Sequence, residues 1–520
     1  MKKFKLLLAA FVATLFAFVG GNAFAYTITV DKVADNHTYE AYQVFSGTLA
    51  SDGKTLSNIQ WSETGVTPFT FEGKSEAAEI AEMLAYKEDA PEKDKSDTEK
   101  AKEFSKLAGA NLKTPAASAE SKDGQAVLTV SAPGYYLVKD VDGSQNGNDA
   151  AYTRFMMEVV GDVTAQVKND KPTVQKKVKE TNDSTGKTTD WQDAADYDIN
   201  DTVPFQLKAT LPKHIADYDH YYVEFTDTLS AGLTFNNITL VKADGKTLSE
   251  GEYQVTKTPN TDGTTTLSVI ITDVKKVNEN IKKDDLVTVE YNATLNDKAV
   301  LGSAGNPNSV ELTYSNNPNA TGDGTSKPAD TGKTPKDTVK VFTYQTIINK
   351  VKEIKKDGTI ETAPLPGAEF TLYKKLNNGS TKKVDVVKNA EGTSFTFKGL
   401  DAGNYELVES TTPDGYNTIK PIKFTINAKY DTEAADPQLT ELSGGVTANT
   451  DSGMIEFNKN ITPKEAATSG SLEANVENKK GSLLPSTGGM GTTILYVIGS
   501  ILVLVAAVLL ITKKRMDAAK

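Results

Sequence analysis

Along most of the chain, single apolar residues alternate with single polar ones in short runs, and Gly, Asn, Asp or Pro separates one run from the next. Residues 26–30, 126–130, 267–271, 286–291 and 395–397 read this way. Successive side chains of a strand point to opposite faces, so alternation punctuated by turn residues predicts half-buried strands stacked into β-sandwiches. Residues 75–112 break the pattern: Ala, Glu and Lys dominate, with Pro91 inside. That stretch predicts helix interrupted near the proline, an insertion in the first domain.

The two ends are apolar in a different way. Lys2, Lys3 and Lys5 precede an apolar run over 6–19, and Ala23, Phe24 and Ala25 follow. A charged start, a short apolar middle and a small-x-small site predict an export signal over 1–25, with Tyr26 opening the mature chain. Near the other end, 494–511 is almost unbroken apolar sequence, and Lys513, Lys514 and Arg515 come directly after it. This predicts a transmembrane helix over 492–512 and a cytoplasmic basic tail over 513–520, because positive residues stay inside. The body then lies outside the cell.

At about 100–150 residues per domain, that body holds three. Lys171-Pro172 marks one seam, and the Gly/Pro/Thr/Lys stretch 319–338 precedes the next. The expected domains are 26–169, 170–341 and 342–480.

Composition narrows the chemistry. There is no cysteine in 520 residues, so covalent reinforcement of an exported chain has to come from something other than disulfides. The net charge is −12; the leader and residues 488–520 each carry +3, which leaves −18 on residues 26–487. An acidic body argues against nucleic acid as a partner. The histidines number three, His37, His214 and His220. With no nucleophile elbow and no metal-ligand spacing, the reading is of a chain that is not an enzyme and needs neither cofactor nor metal. The Asp-containing turns around residue 260 are too irregular for a calcium loop.

Just before the apolar run stand Leu484, Pro485, Ser486, Thr487 and Gly488. The pentapeptide, the span and the basic tail together resemble the LPXTG signal read by sortase transpeptidases. Proline holds the segment extended, and glycine leaves the Thr487 carbonyl open to a cysteine thiolate. The acyl-enzyme so formed is resolved by an amine.

In the third domain, Tyr405, Glu406, Leu407, Val408 and Glu409 are followed by Pro413, Asp414, Gly415 and Tyr416. This resembles the E-box, YxLxET followed by PxGY, of Cna protein B-type pilin domains, with Ser410 in place of the usual Thr. Period-2 alternation puts Ile348 and Lys350 on one face, Leu407 and Glu409 on one face, and Val476 and Asn478 on one face. The middle domain repeats the order: Lys176 beside Val174 and Val178, Asp227 between Phe225 and Leu229, and Asn308 in phase with Val310 and Leu312. Its stretch Phe225-Thr226-Asp227-Thr228-Leu229 resembles the middle domain of Gram-positive backbone pilins.

The resemblance implies an intramolecular Lys–Asn isopeptide bond in each domain: Lys176 with Asn308 assisted by Asp227, and Lys350 with Asn478 assisted by Glu409. Burial lowers a lysine pKa and raises a carboxyl pKa, which suits a neutral amine nucleophile beside a protonated acid. A slip of one residue would substitute Lys177 for Lys176, or Glu369 for Glu409. The first domain carries only a faint echo, in residues 134–140 and Lys32.

The family also implies an exposed lysine that accepts the threonyl group of another subunit. Residues 165–169 match the end of the pilin motif YPKN only in Lys168 and Asn169, without its aromatic and proline. Lys168 is the expected nucleophile and Lys171 its competitor.

The whole reads as all-β: tandem immunoglobulin-like sandwiches of Cna A/B type with a helical insertion in the first. The expected function is the shaft subunit of a sortase-assembled pilus, secreted and covalently anchored to the cell wall. The expected partners are pilin-specific and housekeeping sortases, other copies of the chain, accessory pilins, peptidoglycan and host surface ligands. The alternative is a monomeric wall-anchored adhesin.

Overall fold

The structure is a computed structural model, and it describes residues 25–35, 37–85, 99–167, 170–448, 457–458, 460–481 and 490–517.

In the N-terminal part, Tyr26–Asp31 pairs with Gln125–Val130 on one side and Val163–Gln166 on the other. Thr38–Leu49 is the hub of a second sheet with Leu56–Trp61, Ala117–Glu120, Gly134–Asp140 and Arg154–Val159. Ile28, Val30, Leu128, Tyr136 and Val138 fill the space between them. The break in alternation is helical: Ala77–Leu84 and Glu99–Ala110 flank the Pro91 region, which lies outside the described residues. These helices bury Ile80, Phe104 and Ala108 against Val44, Phe45 and Leu137, a second small core under the insertion.

The middle part is a sandwich of two large sheets. One runs in the order Lys246–Thr247, Leu233–Ala243, Leu286–Leu295, Thr202–Thr210, Thr173–Val178. The other places Asn306–Ser315 beside Val223–Leu229, with Thr265–Ile271 and Gln254–Pro259 beyond. Alternation is nearly perfect where it matters: Val223, Phe225, Asp227 and Leu229 are buried while the residues between them are only partly covered. Residues 319–338 contribute strands to this sandwich. They supply Thr331–Lys333 and the start of Asp337–Phe342, both in the second sheet, with Val339 and Val341 in its core. Asn308 therefore sits on an inner strand with two more strands after it in the chain.

In the C-terminal part, Tyr344–Lys356 pairs antiparallel with Thr359–Pro364 and Ser394–Leu400, and parallel with Ser471–Glu477. The facing sheet runs Thr381–Val384, Glu369–Lys375, Gly403–Thr411, Ile422–Tyr430, Leu439–Ala448. A short helix, Pro463–Ser469, caps this core with Ala466 and Ala467; the Thr462 and Glu465 side chains form a reciprocal capping box at its start.

The junction between middle and C-terminal parts is charged and buried. Ala194–Asp196 joins the middle sheet beside Asp337–Phe342, yet Ala194 packs into the C-terminal core. Lys374 Nζ lies 2.5 Å from Asp183 and 3.0 Å from Asp198, and also contacts Asp401. Burial alone would push the Lys374 ammonium down, but Asp401 and Asp198 outweigh it and hold the pKa above its ordinary value. The three aspartates are close enough together to suit a cation, and the lysine ammonium fills that role.

The terminal helix is Met490–Asp517, and its stretch Leu495–Lys514 is long and apolar enough to cross a membrane. It runs past the expected 512 because Lys and Arg are good helix formers and carry the last turn outward.

Candidate functional site: two buried lysine, carboxyl and asparagine clusters

In the middle sandwich, Lys176 enters from an edge strand of one sheet. Its position opposite Leu207 puts it on the inner face, and its side chain is fully buried. Asp227 comes from the other sheet, paired with Val310 and Leu267, and is also fully buried. Asn308 is two pairs along the same ladder, opposite Leu229. Lys176 Nζ donates to Asp227 Oδ1 at 2.6 Å and to the Tyr291 hydroxyl at 3.0 Å. Tyr291 donates to Asp227 Oδ2 at 2.5 Å and accepts from Asn308 Nδ2 at 2.7 Å. Asn308 Oδ1 is buried with no hydrogen-bond partner among the described residues. The rings of Phe205 and Tyr291 lie 5.1 and 5.2 Å from Nζ.

The C-terminal cluster uses different strand relations. Lys350 lies opposite Val476 in the parallel pair, and Asn478 follows just after that strand ends. Lys350 Nζ donates to Asn478 Oδ1 and, at 3.1 Å, to the Val476 carbonyl. Glu409 Oε1 is 3.6 Å from Nζ. The Glu409 carboxylate accepts from Asn478 Nδ2 at 2.9 and 3.1 Å, from Thr412 Oγ1 at 3.1 Å and from the Ile419 amide at 3.1 Å. Phe370 covers the lysine, its ring 5.7 Å from Nζ.

The electrostatics follow from dryness. Burial pulls the Lys176 pKa down to about 8, with Asp227 only partly restoring it, and burial pushes Asp227 up. Lys350 is likewise lowered to about 8 by burial, against the pull of Glu409. Each amine thus sits close to losing its proton near neutrality, with an acid within reach of it.

The register alternatives point elsewhere. Lys177 faces outward and pairs with Asp193 at 2.7 Å and Glu433 at 2.9 Å. Glu369 is half-buried and pairs with Lys388 at 2.5 Å. In the first domain, Lys32 is exposed and donates to Gln166 at 3.2 Å, while Asp140 is buried against His37 and Thr153. Lys171 is exposed, in an ion pair with Asp149. Lys168 and the pentapeptide Leu484, Pro485, Ser486, Thr487, Gly488 lie outside the described residues. Tyr291 is the participant that alternation alone does not single out. Its in-phase neighbours Val287 and Val289 mark it as buried, and a buried hydroxyl needs a partner. Nothing local says which partner.

Comparison with protein families matches residues 199–318 to the Gram-positive pilin backbone subunit 2, Cna-B-like domain. Residues 349–438 match a prealbumin-like fold domain, SpaA, and 476–517 match the LPXTG cell wall anchor motif. Among curated proteins, the trypsin-resistant surface T6 protein of Streptococcus pyogenes serotype M6 is 28% identical over 402 residues, covering 68% of this chain and 70% of that protein. The solved T6 backbone pilin of serotype M6 Streptococcus pyogenes superposes with a TM-score of 0.51 at 18% identity, over 88% of this chain and 99% of that one. The full-length major pilin SpaD of Corynebacterium diphtheriae gives 0.46 at 18% identity, over 88% and 98%. Pilin-type domain matches in the middle and C-terminal parts, ahead of a wall-anchor match on the same chain, support an LPXTG-anchored backbone pilin of the Gram-positive class.

Proposed function

We propose that this chain is held together by two internal Lys–Asn bonds and is joined to its neighbours through Lys168 and Thr487. The chain is a structural shaft subunit of a sortase-assembled pilus on the cell wall. In each cluster the amine gives its proton to the adjacent acid, and the neutral Nζ attacks the asparagine Cγ. The Nζ–Cγ bond forms, the acid returns that proton to Nδ2 and takes the second proton from Nζ, and the Cγ–Nδ2 bond breaks so that ammonia leaves. The observation that carries this reading is the doubled arrangement: two fully buried lysines, each touching a buried carboxyl group that sits within the same cluster as a buried asparagine. A buried unneutralised lysine is costly, and conversion to an amide removes that cost permanently.

Between subunits, a sortase thiolate takes the Thr487 carbonyl and the Lys168 amine resolves the acyl-enzyme. Partner sortases, accessory pilins and peptidoglycan follow from this chemistry, and host ligands would meet the assembled fibre. Intact mass of the exported chain tests the internal bonds: about 34 Da below the sequence mass is expected, one ammonia for each amine attack. An unshifted mass would end that reading. For the external link, wall extracts boiled in SDS should give a ladder of high-mass species that collapses to monomer in Lys168→Ala. A ladder that survives this substitution would move the linkage to another lysine, Lys171 first.

A further inference from the structure

The two clusters solve the same problem with different parts. In the C-terminal domain, the longer acid Glu409 reaches the asparagine amide itself and takes both contacts of Nδ2. The aromatic over the lysine there is Phe370, which has no hydroxyl. In the middle domain the acid is one methylene shorter, and its hydrogen bonds are to Lys176 and Tyr291, with none to Asn308 among the described residues. The Tyr291 hydroxyl spans the gap, bonded at once to Asp227 Oδ2, to Lys176 Nζ and to Asn308 Nδ2. Tyr291 is fully buried, so water does not compete for these contacts.

We propose that Tyr291 is the proton relay of the middle-domain cross-link, carrying a proton from Asp227 to the Asn308 nitrogen that departs as ammonia. This rests on the reading of Lys176 and Asn308 as bond partners. Lys176 first passes one ammonium proton to the Tyr291 hydroxyl, whose own proton moves onto Asp227 Oδ2, leaving a neutral amine and a neutral acid. Nζ then bonds to Asn308 Cγ, and the carbonyl electron pair moves onto Oδ1. Tyr291 gives its proton to Nδ2 and is refilled from Asp227 Oδ2. Asp227, again a carboxylate, accepts the second proton from Nζ. The C=O bond re-forms, the Cγ–Nδ2 bond breaks, and ammonia leaves. The acid ends protonated, and the net charge of the cluster is zero before and after. A phenol held neutral by burial suits this role, since burial and the Asp227 carboxylate both raise its pKa.

The test is the rate of cross-link closure in the full exported chain, pulse-synthesised, sampled over time and digested, with each cross-linked peptide weighed. In wild type, both peptides should lose about 17 Da, the ammonia of each amine attack. In Tyr291→Phe, the Lys176–Asn308 peptide should close about 100-fold or more slowly, the lower range for a lost general acid. The Lys350–Asn478 peptide should close at its normal rate. Adding Asp227→Glu to Tyr291→Phe supplies the longer acid and should restore most of the lost rate, which a packing role for the ring would not predict. Normal closure in Tyr291→Phe, or no rescue in the double variant, overturns the relay. No loss of mass from the wild-type middle-domain peptide overturns the cross-link reading itself, and the relay with it. Should Tyr291→Phe fail to fold, 3,5-difluorotyrosine at 291 keeps the ring and makes the phenol more acidic. A changed middle-domain rate is then expected, and an unchanged one overturns the proposal.

Discussion

A lysine ammonium sealed between two sheets is an expensive group, and the surroundings of Lys176 and Lys350 decide how that cost is met. Each is fully covered, each rests against an aromatic ring, and each has a carboxylate close by. Because both amines are lowered to about 8, the reactive neutral form becomes abundant only as pH rises toward that value. Closure of both bonds is therefore expected to slow when protein is synthesised and held at pH 5, as read by the fraction of chain still carrying its ammonia. The same shift has a stability consequence when closure is blocked. In Asn478→Ala, the unfolded Lys350 keeps its proton up to the ordinary 10.5 while the folded one releases it near 8. The unfolded state then binds more protons across that window, so stability should be flat below about 8 and rise above it. A chemical-denaturation series over pH checks the sign. Glu409→Ala is a harsher change. It removes the acid, orphans the Ile419 amide and leaves the lysine buried without a counter-charge. Loss of the C-terminal bond and a destabilisation of about 3–5 kcal/mol are expected.

At the scale of strands, the two cross-links would tie different things. Lys176 lies on an edge strand of one sheet and Asn308 on an inner strand of the other, so that bond would staple the sandwich across its core. Lys350 and Asn478 bridge one sheet, from a strand to the residue just past the end of its parallel neighbour, 128 residues apart in sequence. Stretching that loop would release roughly 420–460 Å of chain at extended spacing. Single-molecule pulling should show this extension in Asn478→Ala and lack it in wild type. The junction below is a separate device. Lys374 of Glu369–Lys375 binds Asp183 and Asp198, which precede the middle sandwich's core strands, so one side chain couples two domains. Lys374→Met would remove the cation that Asp183, Asp198 and Asp401 share, leaving only Lys382, 3.2 Å from Asp198. The melting of the C-terminal domain should drop and separate from that of the middle domain, seen as a split calorimetric transition.

For the molecule as a whole, much was written in local pattern. Period-2 alternation placed strands through the body, and its failure over 75–112 marked the helices Ala77–Leu84 and Glu99–Ala110. Alternation also put Lys176, Asp227 and Lys350 in phase with Val, Phe, Leu or Ile, because a strand's two faces are fixed by covalent geometry alone. The terminal span was legible as well, since a bilayer demands a long apolar helix whatever else the chain does. Contacts between distant strands were not legible in the same way. Residues 319–338 read as a Gly/Pro/Thr/Lys stretch ahead of a seam, and only pairing against Asn306–Ser315 makes strands of part of them. Tyr291 is an ordinary buried aromatic until three strands and two sheets bring its hydroxyl to Lys176, Asp227 and Asn308. The Lys374 cluster draws its acids from 183, 198 and 401, a convergence that no local window contains. What the chain determines by itself is which side of each strand is dry, because that depends on neighbours one and two residues away. Which dry groups meet is decided only by tertiary structure, because hydrogen bonds and proton transfer act over about 3 Å and the sequence carries no measure of distance between strands.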